Sequence, residues 1–265
     1  PLLVPLFTKP RFQVRTAPGV GTSYVGLNLE HRALSDVRVR KALALAIDRD
    51  SVIRYKLGGR ARLASSMIVP GHWAHNRDTP SHPYDPDRAR ALLREAGFGA
   101  EKPLALTLRT GSDRFVVSVA RALVAMWQAV GVDVDVRPSE SATLLSDLAR
   151  GRFELCLMQI PEVFEPHVLS WFFASDRVPE AGVREGGNRF RMRSPALDAL
   201  LEQGRSTLDL EGRIVVYAQV QTLLAQELPV IPLWHDDVVA ITSARLESYA
   251  VPRDGRFGTL VSTPT

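Results

Sequence analysis

Apolar residues recur along the chain at two spacings, one typical of strands and one typical of helices. Residues 104–110 and 132–136 alternate apolar and polar side chains, which predicts two half-buried strands. Residues 113–131 and 210–227 carry apolar stripes at helical spacing, and the apolar run at 153–160 predicts a further strand. Because strands and helices alternate, the pattern indicates an α/β fold with crossover connections and some parallel pairing.

The stretch VRVRKALALAIDRDSVI, residues 37–53, predicts a helix that breaks and then resumes. Asp48 is expected to accept hydrogen bonds from free backbone N–H groups at the break, and Asp50 to cap the short helix that follows. Both aspartates are therefore interpreted as structural rather than ligand-binding.

Glycine and proline predict where other elements begin and end. Asp85 and Pro86 predict a helix start, and Gly97 predicts its end. Near the beginning of the chain, PGVG at 18–21 predicts a turn between two extended segments.

Composition and charge exclude several classes of protein. The 265 residues are 45% hydrophobic and 23% charged, which is typical of a soluble globular protein rather than a disordered one. The net charge of +4 comes from 33 basic and 29 acidic residues that are interspersed, so we expect no nucleic-acid partner. No apolar run approaches the roughly 18 residues of a membrane span. The opening PLLVPLFTKP has neither a Met nor a basic segment, which suggests a fragment or a processed chain.

Catalytic and metal-binding motifs are scarce. The sequence has no G-x-S-x-G, P-loop or H-E-x-x-H motif. Cys156 lies between leucines and is interpreted as a buried apolar residue rather than a nucleophile. His72, His75 and His82 share one loop, but their spacing is unlike that of a zinc site. By elimination we expect a binding protein rather than an enzyme, with no cofactor and no metal.

Five stretches, in order, resemble family 5 extracytoplasmic solute-binding proteins, the peptide-, dipeptide- and nickel-binding components of ABC importers. The resemblance is carried by a strand ending in Asn, the broken helix, an Asp-Pro-x-x-Ala-x-x-Leu-Leu-x-x-Ala-Gly helix, a helix ending before Val-Gly-Val, and a segment ending in Pro-x-Ile-Pro-Leu. These are residues 24–30, 34–53, 84–98, 119–136 and 194–234.

The resemblance implies the C-terminal lobe of a type II periplasmic-binding-protein-like fold, a mixed sheet flanked by helices. Members of the family have two lobes joined by a hinge and trap solute between them. We expect residues 1–22 to be a remnant of the N-terminal lobe and hinge, 23–232 to form the C-terminal solute-binding lobe, and 233–265 to return to the N-terminal lobe. One wall of the cleft would then lie outside this chain.

The resemblance also implies ligand-binding residues. In peptide-binding members the segment matching residues 157–173 usually reads Gly-Trp-x-x-Asp-Tyr-Pro-Asp-Pro, and its first Asp pairs with a peptide α-amine. Alignment on Pro166 places Glu162 at that Asp and Gln159 at the Trp. A carboxylate is retained but the aromatic wall is lost, which weakens the expectation of a dipeptide ligand. Glu162 is equally consistent with a solvated loop acid.

Further cleft residues are implied elsewhere in the chain. Some dipeptide binders place an arginine between a strand and the following long helix, where Arg109 and Arg114 are candidates to bind a ligand carboxylate. Trp73, together with His72, is expected to line the cleft. Trp171 is expected to pack in the core behind Glu162.

The function implied by the resemblance is capture of a peptide or peptide-like solute and its delivery to ABC permease subunits. Localisation would be periplasmic or extracytoplasmic, with membrane contact only through the permease or a lipid anchor outside this chain. The alternative is the ligand-sensing domain of a transcriptional regulator with a lobe of this type. The identity of the solute and the oligomeric state do not follow from the sequence.

Overall fold

Strands and helices alternate along the chain as the apolar pattern predicts. The structure, a computed structural model, describes residues 11–160, 162–180, 185–246 and 249–256. Its strands are β1 Phe12–Leu27, β2 Ala61–Leu63, β3 Leu104–Gly111, β4 Val132–Ser139, β5 Leu155–Ile160 and β6 Val230–Ser243. Its α-helices are α1 Val37–Leu45, α2 Arg49–Tyr55, α3 Pro86–Glu95, α4 Arg114–Gln128, α5 Ser141–Ala149, α6 Val168–Phe173, α7 Pro195–Ser206 and α8 Leu210–Glu227.

The strands form one mixed sheet in the order β2-β6-β1-β5-β3-β4. Strand β3 runs parallel to β4 and β5, while β1 runs antiparallel to β5 and β6, and β2 antiparallel to β6. Parallel strands need crossover connections. Helix α4 connects β3 to its neighbour β4, and α5 connects β4 to β5, which lies on the other side of β3. The prediction of an α/β fold with a mixed sheet flanked by helices is confirmed.

Apolar side chains cover both faces of the sheet. Alternate residues of a strand point to opposite faces. Val25 and Leu157 accordingly belong to the core formed with α1, α3 and α4, whereas Tyr24 and Met158 contact the core formed with α6, α7 and α8. The sheet therefore separates two helical layers.

The broken helix is confirmed, but one of its caps differs from the prediction. Asp48 is the N-cap of α2, where its carboxylate accepts hydrogen bonds from the Ser51 N–H at 3.0 Å and the Ser51 hydroxyl at 2.6 Å. The prediction that Asp50 caps α2 is wrong, because Asp50 lies inside the first turn and is exposed. Its charge there still interacts favourably with the helix dipole.

Strand β1 continues through residues 18–21, so the predicted turn is wrong. The register against β6 shifts between Pro18 and Thr22, which marks a bulge rather than a reversal of the chain. A Cβ at Gly19 would lie 2.2 Å from the backbone oxygen of Asp236. Glycine is needed at this position for close approach of two backbones.

Strands β1 and β6 extend beyond the rest of the sheet. Residues 12–18 pair with 237–243, whereas the pairing of β1 with β5 begins only at Thr22. We call this two-stranded extension the β1–β6 ribbon. The predicted lobe boundaries at 22/23 and 232/233 fall inside β1 and β6, and this division of the chain stays a prediction. Residues 1–10, 247–248 and 257–265 of the predicted remnants lie outside the described residues.

Candidate functional site

The carboxyl ends of the three parallel strands lie at one edge of the sheet. These ends are Gly111 of β3, Ser139 of β4 and Ile160 of β5. The β1–β6 ribbon leaves the sheet at the same edge, because Thr22 pairs with Ile160. Ligands of open α/β sheets bind outside the carboxyl ends of strands. Two concave surfaces at this edge are therefore candidate binding sites.

The first, which we call the Asp236 cavity, is a space of about 460 Å³. Three of its polar side chains converge from neighbouring strands: Ser23 of β1, Gln159 of β5 and Asp236 of β6. Its walls are apolar and come from α4, α5 and β5, through Phe115, Val119, Leu144 and Leu157. The volume lies within the range of small-molecule sites. The combination of apolar walls with a few polar groups is also typical of such sites.

The Asp236 carboxylate is held by three donors. Its Oδ2 accepts from the Ser23 hydroxyl at 2.7 Å and from Gln159 Nε2 at 2.9 Å, and its Oδ1 accepts from Trp234 Nε1 at 3.0 Å. Burial nevertheless raises the pKa of Asp236 above its ordinary value, and the neighbouring Asp237 raises it further. Asp237 is paired with Arg62 at 3.3 Å. Among the described residues, no lysine or arginine forms an ion pair with Asp236.

The second surface, which we call the Glu162 groove, has a volume of about 620 Å³. It is lined by the loop after β5, with Glu162 and Phe164, by the loop at 69–73, and by residues 252–254. Partial burial raises the pKa of the Glu162 carboxyl, opposed by Arg256, while Asp254 adds to the rise. A half-buried carboxylate in an open groove is suited to binding a cationic group of a ligand.

Trp73 forms one side of the Glu162 groove and is held in place by stacking. The Arg213 guanidinium lies 5.0 Å from the centre of the Trp73 ring, and Tyr217 meets the ring edge-on at 6.3 Å. Arg213 is itself paired with Glu165. The groove therefore has a fixed aromatic wall, which comes from a different segment than the aligned family motif predicts.

His72 links the two loops of the groove. The backbone N–H of Ala74 donates to His72 Nδ1 at 3.0 Å, so the ring proton sits on Nε2. That nitrogen lies 3.0 Å from the carbonyl oxygen of Phe164 and donates to it. The ring thus positions the segment next to Glu162.

Comparison with known proteins identifies the family. Residues 2–178 match the family model described as Bacterial extracellular solute-binding proteins, family 5 Middle, which covers more than half of the chain. The chain belongs to this family. It is also 29% identical over 250 residues to the "Probable di/tripeptide-binding protein 5" of Pseudomonas aeruginosa, with 92% of this chain and 46% of that protein covered. The family 5 chain therefore spans about half the length of the relatives that it matches.

Solved structures share the fold of this family 5 chain. The periplasmic binding protein DppA of Helicobacter pylori in complex with peptide STSA has a TM-score of 0.83 at 22% identity, covering 94% of this chain and 48% of its own. NikZ of Campylobacter jejuni in complex with Ni(L-His) also has a TM-score of 0.83 at 22% identity, covering 98% of this chain and 54% of its own. One fold thus carries different ligands, so the ligand depends on the side chains of the site.

The structure divides the five predicted site residues of this family 5 member into three groups. Glu162 and Trp73 line the Glu162 groove together, and Gln159 lies in the Asp236 cavity. Arg109 pairs with Asp147 of α5 at 3.2 Å. Arg114 is the exposed first residue of α4 and lines neither concave surface. Their roles in ligand binding stay predictions.

Asp236 is the polar residue that the sequence analysis overlooked. In the sequence, Asp236 comes shortly after the apolar run at 230–234 and precedes a second aspartate. This pattern is equally typical of the solvated end of a strand. The place of Asp236 in the cavity depends on hydrogen bonds from Ser23 and Gln159. The pairing of β1 with β5 and β6 brings these two residues next to Asp236. The sequence does contain one indication of this site. The polar run His235-Asp236-Asp237 interrupts the apolar residues of β6, where an apolar residue would normally face the core.

The expected packing of Trp171 is wrong. Its side chain is 43% exposed, and the guanidinium of Arg177 lies 5.7 Å from its ring centre. Helix α6 buries Leu169 and Phe173 instead. Residue 171 lies midway between these two and so projects from the opposite side of the helix.

Two features of the described residues bear on metal binding and on thiol chemistry. In the described parts of the chain, no group of three His, Cys, Asp or Glu residues is placed to hold a metal ion. Burial raises the pKa of the Cys156 thiol to about 12, which disfavours the reactive thiolate. None of the helices within the described ranges has the length and apolar character needed to cross a membrane.

Proposed function

We propose that this chain forms one lobe of the substrate-binding protein of an ABC import system. The complete protein would capture a peptide or peptide-like solute between two lobes and deliver it to a membrane permease. It would act in the periplasm or elsewhere outside the cytoplasm, in contact with the membrane only through the permease or a lipid anchor outside this chain. The family assignment and the names of the relatives support this function, and neither supports the regulatory alternative.

The observation that carries the proposal is the Glu162 groove at the sheet edge from which the β1–β6 ribbon departs. A second lobe reached through this ribbon would face the groove and enclose a ligand from the other side. Enclosure matters because charge-assisted hydrogen bonds strengthen when water is excluded. The groove supplies a carboxylate for a ligand amine and an aromatic wall for its apolar portion.

Of the two arginines predicted to bind a ligand carboxylate, one is the better candidate. Arg109 is already paired with Asp147. Arg114 is exposed and, within the described residues, forms no ion pair, and its neighbour Phe115 lines the Asp236 cavity. Arg114 is therefore the arginine available to bind a ligand carboxylate, while Arg109 fastens β3 to α5.

The proposal is tested by calorimetry on the complete gene product. Alanine tripeptide should bind, and its N-acetyl derivative should bind about tenfold or more weakly, because acetylation removes the amine that pairs with Glu162. Absence of binding for free di- and tripeptides would contradict the proposal, and equal affinity for the two forms would contradict the role of the amine.

A further inference from the structure

The Asp236 cavity contains a negative charge that nothing in the described chain neutralises. Ser23, Gln159 and Trp234 all donate neutral hydrogen bonds to the carboxylate. Neighbouring Asp237, by contrast, has the guanidinium of Arg62 beside it. A partly buried carboxylate without a cation carries a desolvation cost, which a cation from outside the chain would offset.

The shape of the cavity indicates the kind of partner. Asp236, Ser23 and Gln159 form a polar end, while Phe115, Leu144 and Leu157 form apolar walls. Lysine and arginine side chains combine an aliphatic stem with a charged head and bury the stem against apolar surface. A metal ion is a poorer fit, because Asp236 is the only carboxylate in the described lining and the walls offer no imidazole or thiolate.

We propose that the Asp236 cavity binds the cationic side chain of a lysine- or arginine-containing peptide, with its head at Asp236 and its stem along the apolar walls. This proposal rests on the proposed function and specifies the substrate class. Gln159, where the aligned family motif has tryptophan, contributes an amide that holds the Asp236 carboxylate in place.

Gln159 and Glu162, one from each surface, are close together in the chain. Gln159 lies in the Asp236 cavity and Glu162 in the groove, and only two residues lie between them in the sequence. Their Cα atoms are therefore at most about 11 Å apart. A tripeptide spans a similar length, as the proposal requires if the amine of the same peptide is to meet Glu162.

The test compares peptides that differ only in the charged head. Calorimetry on the complete gene product uses Ala-Lys-Ala and Ala-Ala-Lys against the same peptides with norleucine for lysine. The wild type should favour a lysine peptide over its norleucine counterpart by about tenfold. Asp236→Asn should abolish this preference, and the control Asp237→Asn, which alters an acid outside the cavity, should retain it.

The possible results distinguish failure of this inference from failure of the proposed function. Equal binding of lysine and norleucine peptides by the wild type overturns the inference alone and leaves the proposed function standing; this comparison needs no variant to fold. A preference that survives in Asp236→Asn also overturns the inference. If Asp236→Asn instead lowers the melting temperature without changing peptide preference, Asp236 is a structural acceptor for Ser23, Gln159 and Trp234, and the inference fails. If no peptide binds at all, the proposed function fails, and this inference fails with it.

Discussion

Glu162 and Asp236 are carboxylates at the same sheet edge with different surroundings. Asp236 accepts three hydrogen bonds, whereas the described part of the chain gives Glu162 no donor. The charges of Arg256 and Arg253 lower the pKa of Glu162, but neither arginine forms an ion pair with it in the described residues. Glu162 is therefore free to bind a ligand directly, while the orientation of Asp236 is fixed before any ligand arrives.

Replacement of Glu162 by glutamine should weaken peptide binding without unfolding the protein. The change removes the charge and nearly preserves the shape, so a bound amine loses a charge-assisted hydrogen bond worth about 1.5–3 kcal/mol, or roughly ten- to a hundredfold in affinity. Stability of the unliganded protein should change by less than about 0.5 kcal/mol. Calorimetry and thermal melting of both forms measure the two quantities.

Glu101→Gln is a matched control, because Glu101 is an exposed acid in the loop before β3 and far along the chain from Glu162. It should leave both affinity and stability unchanged. Unchanged affinity in Glu162→Gln would remove this residue from the site, and a large loss of stability would make its role structural.

Residues with local roles were predictable, and residues with long-range partners were not. Asp85, Pro86 and Gly97 delimit α3 as predicted, because caps depend on neighbours three or four residues away. Asp236 receives its donors from Ser23 and Gln159, which are distant in sequence. No local pattern contains that information.

At the scale of elements, most helices and strands follow the apolar period, and the errors occur where glycine or aspartate has two possible uses. Asp48 and Asp50 are both acceptable caps by sequence, and only the path of the chain into α2 selects Asp48. Gly19 is acceptable in a turn or a bulge, and pairing with β6 selects the bulge.

The corrected cap of α2 gives a direct comparison of two aspartates. Asp48→Ala removes acceptors for the N–H and hydroxyl of Ser51 and should cost about 1 kcal/mol of folding free energy. Asp50→Ala removes only a favourable charge in the first turn and should cost about 0.5 kcal/mol or less. Urea unfolding of both variants measures the difference, and a larger loss for Asp50→Ala would restore the cap predicted from sequence.

The bulge in β1 can be tested through glycine substitutions. Gly19→Ala places a Cβ 2.2 Å from the Asp236 backbone oxygen and should cost about 1–3 kcal/mol as the two strands move apart. Gly99→Ala meets nothing within 4 Å and should stay within about 0.5 kcal/mol of the wild type. Equal stability of the two variants would show that β1 and β6 do not approach as closely as described.

At the scale of the whole molecule, the chain has complete cores but an open binding surface. The sheet is covered on both faces by helices, which favours folding without a second lobe. The α/β class and crossover connections were predictable because they follow from the order of elements. The split into an Asp236 cavity and a Glu162 groove was not, because it depends on how β1, β5 and β6 meet.

The chain alone should therefore fold cooperatively. Caps, strand periods and apolar stripes agree with one another, which is the condition for a single stable structure. Circular dichroism should give a mixed helix and strand spectrum with one thermal transition. A coil spectrum, or melting without a cooperative transition, would show that this lobe needs its continuation to fold.

The central claim is that this chain supplies one wall of a cleft whose other wall lies elsewhere. The most direct test is the affinity of one tripeptide for this chain alone and for the complete gene product, measured side by side by calorimetry. We expect tight binding by the complete product. We expect no saturable binding by the chain alone tighter than roughly micromolar, a binding free energy of about 8 kcal/mol, because an open wall cannot exclude water from its polar contacts. Nanomolar binding by the chain alone would contradict it.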